Sequence, residues 1–114
     1  MISPDVRAEV VGRSEGRCEL CNGPLRPMSV HHRRPRGMGG TRRAWVNEAA
    51  NLLVVCGTGT TGCHGMIESR RADAYESGWL IRSGMDPTEV PYVDLAGEWR
   101  LLPDKNRITF PFTR

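Results

Sequence analysis

Asn51-Leu52-Leu53-Val54-Val55-Cys56-Gly57-Thr58-Gly59-Thr60-Thr61-Gly62-Cys63-His64 is the stretch on which the fold turns. An unbroken apolar run of this length, bounded by a glycine-rich segment, reads as a strand buried on both faces. The Gly/Thr segment from Gly57 to Gly62 reads as a loop that returns the chain to Cys63. From His64 to about Tyr75 the pattern is helical, and Gly78 closes it. Upstream, Met28 to His32 is a short strand, and Pro35 to Thr41, with three glycines, is a loop. Cys18-Glu19-Leu20-Cys21-Asn22-Gly23-Pro24 has the composition of a tight knuckle turn. Ser3-Pro4-Asp5 supplies a cap, a first-turn proline and an early acid, so a helix is expected from about residue 4 to 15.

Downstream, Trp79 to Arg82, Tyr92 to Leu95, Trp99 to Leu102 and Arg107 to Phe110 are candidate strands separated by Pro and Gly turns. No repeat or linker divides the 114 residues, which read as a single domain, 1–114, with its motif core at about 18–76. The expected class is α+β, with an N-terminal helix and a C-terminal β appendage. No apolar run approaches the roughly 18 residues of a membrane span. The first residues lack a signal-peptide core. The expectation is a cytoplasmic protein with no membrane partner.

Net charge is +3, unevenly placed. Residues 1–65 hold nine Arg against five acids, whereas residues 66–114 hold seven basic against eight acidic residues. No Asp or Glu occurs from Leu20 to Asn47, where Arg26, Arg33, Arg34, Arg36, Arg42 and Arg43 all fall. A basic segment in a near-neutral chain points to a local anionic partner. Arg suits bidentate phosphate contacts, although a compositional bias of the coding sequence would also enrich it.

The cysteines are Cys18, Cys21, Cys56 and Cys63, a C-x2-C pair and a wider C-x6-C pair. Two disulfides or free thiols are formal alternatives. A reducing compartment and the knuckle spacing favour a structural Zn(II). The only histidines are His31, His32 and His64. Taken singly, His64 could be an alternative zinc ligand and His31-His32 a solvated pair. On a strand, however, adjacent side chains face opposite ways, so one imidazole of the pair can ligate while the other handles a proton. His64 opens a helix beside a cysteine, where a staple would set its direction.

At these residues the chain resembles the HNH endonuclease family. The motif segments are Val30-His31-His32-Arg33-Arg34-Pro35-Arg36-Gly37-Met38-Gly39-Gly40, Asn51-Leu52-Leu53-Val54-Val55-Cys56 and Cys63-His64. The resemblance runs from about Val6 to Pro91 and is nearest to small HNH proteins of actinobacteriophages. It implies a ββα-metal (His-Me finger) core stapled by a four-cysteine zinc site and an activity that hydrolyses DNA phosphodiester bonds. It implies His32 as general base, Asn51 as the residue holding the His32 loop, and His31 and His64 as ligands of a catalytic divalent metal, Mg(II), Mn(II), Ni(II) or Zn(II). Glu68 stands where many members carry a further histidine; a carboxylate there could be a third ligand, or simply a solvated helix residue. Arg33, Arg34, Arg36, Arg42 and Arg43 would grip DNA phosphates. Similar phage proteins are associated with terminase in DNA packaging, so terminase subunits are an implied partner. Trp79, Trp99 and the C-terminal strands could supply a surface for one, although aromatic residues at such positions more often serve core or hairpin packing. The competing readings are a non-catalytic zinc module that binds nucleic acid and a packaging accessory protein without strong activity.

Overall fold

A computed structural model describes residues 2–34 and 47–103. The apolar run forms β2 (Leu52–Cys56), which pairs antiparallel with β1 (Met28–His32) in the register His31 opposite Leu53 and His32 opposite Leu52. Alternation along β2 sends its side chains into two cores. Leu52 and Val54 pack with Val10 and Ala49, while Leu53 and Val55 pack with Leu20, Ile67, Trp79 and Leu80.

The first core is closed by α1 (Pro4–Ser14). Ser3 caps it, its hydroxyl accepting the Val6 N–H at 3.1 Å, a contact of about 1 kcal/mol. Near its end, Arg13 grips both carboxylate oxygens of Glu19 at 2.7 Å and also donates to the Ala49 and Leu52 carbonyls. Glu19 in turn accepts the Val54 N–H and donates its own N–H to the Val54 carbonyl, both at 2.8 Å. The outer side of β2 is thus paired by one acid and its backbone.

The second core is covered by α2 (Gly62–Ser69) and α3 (Arg71–Ser77). One helix was expected here; the chain breaks at Arg70, whose φ of −122° and ψ of 61° leave the helical region. The Ser69 hydroxyl donates to the Met66 carbonyl, a local competitor for the helical ladder at that point. Gly78 ends α3 at φ 79°, and a Cβ there would lie 2.0 Å from the Pro91 carbonyl oxygen, so only glycine fits.

Trp79 to Arg82, expected as a strand, is irregular chain in which the Trp79 and Leu80 N–H groups both return to the Ala74 carbonyl. Tyr92–Val93 (β3) and Trp99–Arg100 (β4) form a short hairpin, docked by the Leu95 N–H on the Leu20 carbonyl. Arg107 to Phe110 lie outside the described residues. The fold is α+β, with three α-helices and two small antiparallel sheets among the described residues. No helix among the described residues is long and apolar enough to cross a membrane.

Arg33, at the end of β1, is fully buried. Its Nε donates to the Gly78 carbonyl at 2.8 Å, Nη1 to those of Ala50 and Pro87, and Nη2 to that of Val90. Burial lowers its pKa to about 10, still far above neutrality, so the guanidinium stays charged. One side chain therefore joins the start of β2, the end of α3 and the turn at Pro87–Glu89. This corrects the sequence expectation: Arg33 cannot grip a phosphate, because its donors are spent on backbone carbonyls. Lysine keeps the charge without the planar fork. Arg33→Lys should lower the unfolding free energy by at least about 3 kcal/mol, since buried carbonyls left without donors cost about 1–3 kcal/mol each. Urea denaturation measures this; an unchanged midpoint would refute the structural role.

Candidate metal centres

The Cys18–Cys21 turn is built to present sulfur. Cys18 N–H bonds the Gly23 carbonyl at 2.9 Å, and Asn22 takes the left-handed conformation that reverses the chain. The Leu20 and Cys21 N–H groups point at Cys18 Sγ, each at 3.4 Å, and the Gly23 N–H points at Cys21 Sγ at 3.4 Å. The second pair is brought together by the Gly/Thr loop. Gly57, at φ 98°, lies so close to the Thr61 carbonyl that a Cβ would approach it to 2.0 Å, and Thr58 and Thr61 bond each other's backbone across the loop. Cys63 N–H then reaches Cys56 Sγ at 3.5 Å, and Cys21 Sγ and Cys56 Sγ are 3.9 Å apart.

All four sulfurs fall within 4.8 Å of one another, and none is in a disulfide. Burial and the adjacent Cys18 raise the Cys63 thiol, and burial also raises Cys21. Cys18 is also opposed by burial, but the N–H groups of Cys21, Cys56 and Leu20 outweigh it and bring it below the usual thiol value. Four crowded sulfurs cannot share several negative charges without a cation among them, and the N–H donors aimed at Cys18, Cys21 and Cys56 suit metal-bound thiolates. The cluster could hold a metal ion.

A second group of donors lies one residue further on. His64 sits in the first turn of α2, and Glu68 stands one turn later on the same face. His31, from β1, converges on them. The His31 and His64 ring centroids are 5.4 Å apart, and one donor atom from each of His31, His64 and Glu68 lies within 4.8 Å of the others. His64 Nε2 is 3.7 Å from Glu68 Oε2, whereas His64 Nδ1 is buried without a hydrogen-bond partner. His31 Nε2 is held by the Trp79 carbonyl at 2.8 Å. A carbonyl only accepts, so Nε2 carries the proton and Nδ1 the lone pair. Burial, the largest influence, holds the His31 pKa down to about 4 against that carbonyl, with His64, His32 and Arg33 adding repulsion. His31 is a neutral imidazole at pH 7. Two imidazoles, one with an orphaned nitrogen, and a carboxylate form a donor set that suits a divalent ion.

These side chains line a cavity of about 260 Å³ together with His32 and Arg71, with Val30 and Leu80 as apolar walls. His32 Nε2 is 3.0 Å from Asn47 Oδ1. Asn51 is fully buried: its Oδ1 accepts the Arg34 N–H at 2.8 Å and its Nδ2 donates to the Arg34 carbonyl. It pins the chain two residues beyond His32. Arg34 is buried as well, with Nε and Nη1 unpartnered, so it too departs from the expected surface cation. Arg36, Arg42 and Arg43 lie outside the described residues. Trp79 is buried, its indole N–H on the Val93 carbonyl at 2.7 Å, and offers no partner surface; Trp99 is exposed.

Comparison with family models, curated proteins and solved structures returned no match. The centres therefore rest on their own geometry. Two site residues escaped sequence reasoning. Arg71 follows Glu68 by three and His64 by seven positions, a helical spacing that could have flagged it. Asn47 is 15 residues from His32 with no motif between them, and nothing local marks it.

The purified chain should carry one tightly held divalent ion at the sulfur cluster. Cys63→Ser should lose that ion and melt at a lower temperature. Elemental analysis and thermal melts check this, and equal ion content in the two proteins would remove the sulfur centre.

Proposed function

We propose that this chain is a metal-dependent nuclease of the HNH type, hydrolysing DNA phosphodiester bonds, with zinc in the sulfur cluster as a structural staple. On this reading β1, β2 and α2 are the ββα-metal unit. The observation that carries it is the convergence of His31, His64 and Glu68 beside His32 in one cavity, separate from the four cysteines. A simple zinc-stapled binding module has no use for that second donor set. The resemblance of the motif segments to HNH proteins supports the same reading.

The sulfur cluster positions the site through the chain itself, since Cys63 and His64 are neighbours and the turn that delivers one delivers the other. His31 and His64, with Glu68, would hold the divalent ion. When bound, such an ion stabilises the negative charge that grows on the phosphate and the leaving oxygen. His32 is the base. With the Asn47 amide oxygen accepting from Nε2–H, Nδ1 is the basic nitrogen of a ring that lines the cavity. It takes a proton from water as the water oxygen bonds phosphorus and the P–O3′ bond breaks with its electron pair on O3′. The departing oxygen takes a proton from solvent, leaving a 5′-phosphate and a 3′-hydroxyl, and His32 then returns its proton to solvent. Asn51 keeps His32 in place by anchoring Arg34.

Plasmid nicking in Mg(II), Mn(II) or Ni(II), with an EDTA control, tests the proposal. Wild-type protein should nick only with added ion. His32→Ala should lose about 100-fold or more of the rate, the usual scale for removing a general base, with unchanged melting temperature and sulfur-bound metal. Full activity in His32→Ala, or binding of DNA with no metal-dependent cutting by the wild type, would defeat it.

A further inference from the structure

The nuclease reading leaves the substrate's phosphate without a described side chain to receive it. Arg33 is committed to backbone carbonyls and Arg34 is buried. The geometry points to Arg71 as the residue that binds a DNA backbone phosphate at the histidine cavity, with Glu68 as its anchor. This rests on the proposed function and adds the substrate contact to it.

Glu68 divides its carboxylate. Oε2 faces His64 Nε2 at 3.7 Å, while Oε1 accepts from Arg71 Nη1 at 3.0 Å. Arg71 is thereby held at the cavity that His31, His32 and His64 also line. It is the only arginine or lysine among the described residues of that lining. Its side chain is 46% exposed, and its contact with Glu68 uses a single N–H, so other guanidinium donors face water and can be exchanged for phosphate oxygens at little cost. Charge favours the same assignment: an anionic phosphate approaching Glu68 meets a carboxylate, and a cation on the same wall lowers that repulsion in addition to any ion held by the histidines. As a purely structural contact, an exposed pair three residues apart contributes little, and the junction between α2 and α3 has its own backbone bonds, Arg70 N–H to Met66 and Ala74 N–H to Arg70.

The test measures binding of a fluorescently labelled DNA duplex by anisotropy across a series of NaCl concentrations. His32→Ala is the parent, so that no turnover interferes, and Arg71→Gln, Arg71→Lys and Arg82→Gln are added to it. Arg82 is an exposed arginine outside that cavity lining, over the Tyr75 ring, and controls for net charge. Loss of one phosphate contact should make the slope of log K against log salt shallower by about 0.9 in Arg71→Gln, with Arg71→Lys and Arg82→Gln near the parent slope. In the otherwise wild-type protein, nicking by Arg71→Gly should recover in part on adding guanidinium chloride, relative to equal NaCl, a response that a structural role would not give. An unchanged slope in Arg71→Gln, or an equal loss in Arg82→Gln, overturns the proposal whether or not the protein cuts DNA. A shallower slope confined to Arg71→Gln, together with wild-type protein that never nicks, upholds the phosphate contact and defeats only the nuclease reading.

Discussion

The buried guanidinium of Arg33 is the constraint around which the rest of the chain is arranged. An arginine removed from water must have its donors met, and here the carbonyls of Ala50, Gly78, Pro87 and Val90 meet them. Those carbonyls belong to the approach to β2, the end of α3 and the turn before β3. No apolar side chain could tie three irregular segments at fixed orientations, because dispersion has no direction whereas hydrogen bonds do. The adjacent residues inherit that order: His32 precedes Arg33 and the Asn51-anchored Arg34 follows it, so the end of β1 is held from both sides.

The two candidate centres share this rigidity through a different device. The glycine-rich loop folds back tightly enough to return Cys63 to Cys56, and the next residue, His64, is already within the first turn of α2. The distance between the sulfur cluster and the histidine cavity is therefore set by one peptide unit. On the opposite wall, the irregular chain after Gly78 supplies the Trp79 carbonyl that selects the tautomer of His31. Residue 79 serves the site through its main chain, while its indole goes to packing.

What was legible in the sequence was local. The knuckle spacing of Cys18 and Cys21, the apolar run of β2 and the Ser3-Pro4 helix start each carry their meaning within a few residues, and each forms the expected element. The pairing of His31 with His64 was implied by the resemblance of the motif segments, since a strand and a helix start alone left open which imidazole of the His31-His32 pair faces His64. Arg33 was illegible because a basic run reads as a solvated or phosphate-binding face, and only the tertiary arrangement of four carbonyls gives it another use. Asn47 and the Trp79 carbonyl reach the histidines across 15 and 48 residues, distances over which no periodicity speaks. The break at Arg70 has neither glycine nor proline to announce it, only a serine whose hydroxyl turns back on the helix.

Glu19 has an implication beyond holding α1. A segment such as Leu52-Leu53-Val54-Val55, apolar on both faces and uncharged, has the composition of a template for cross-β assembly, and an unpaired strand edge is where such growth begins. The carboxylate and N–H of Glu19 occupy the two groups of Val54 that an incoming strand would seek, and Arg13 covers the Leu52 carbonyl. The folded protein thereby keeps its most adhesive sequence from recruiting neighbours, using one ion pair as a doorstop.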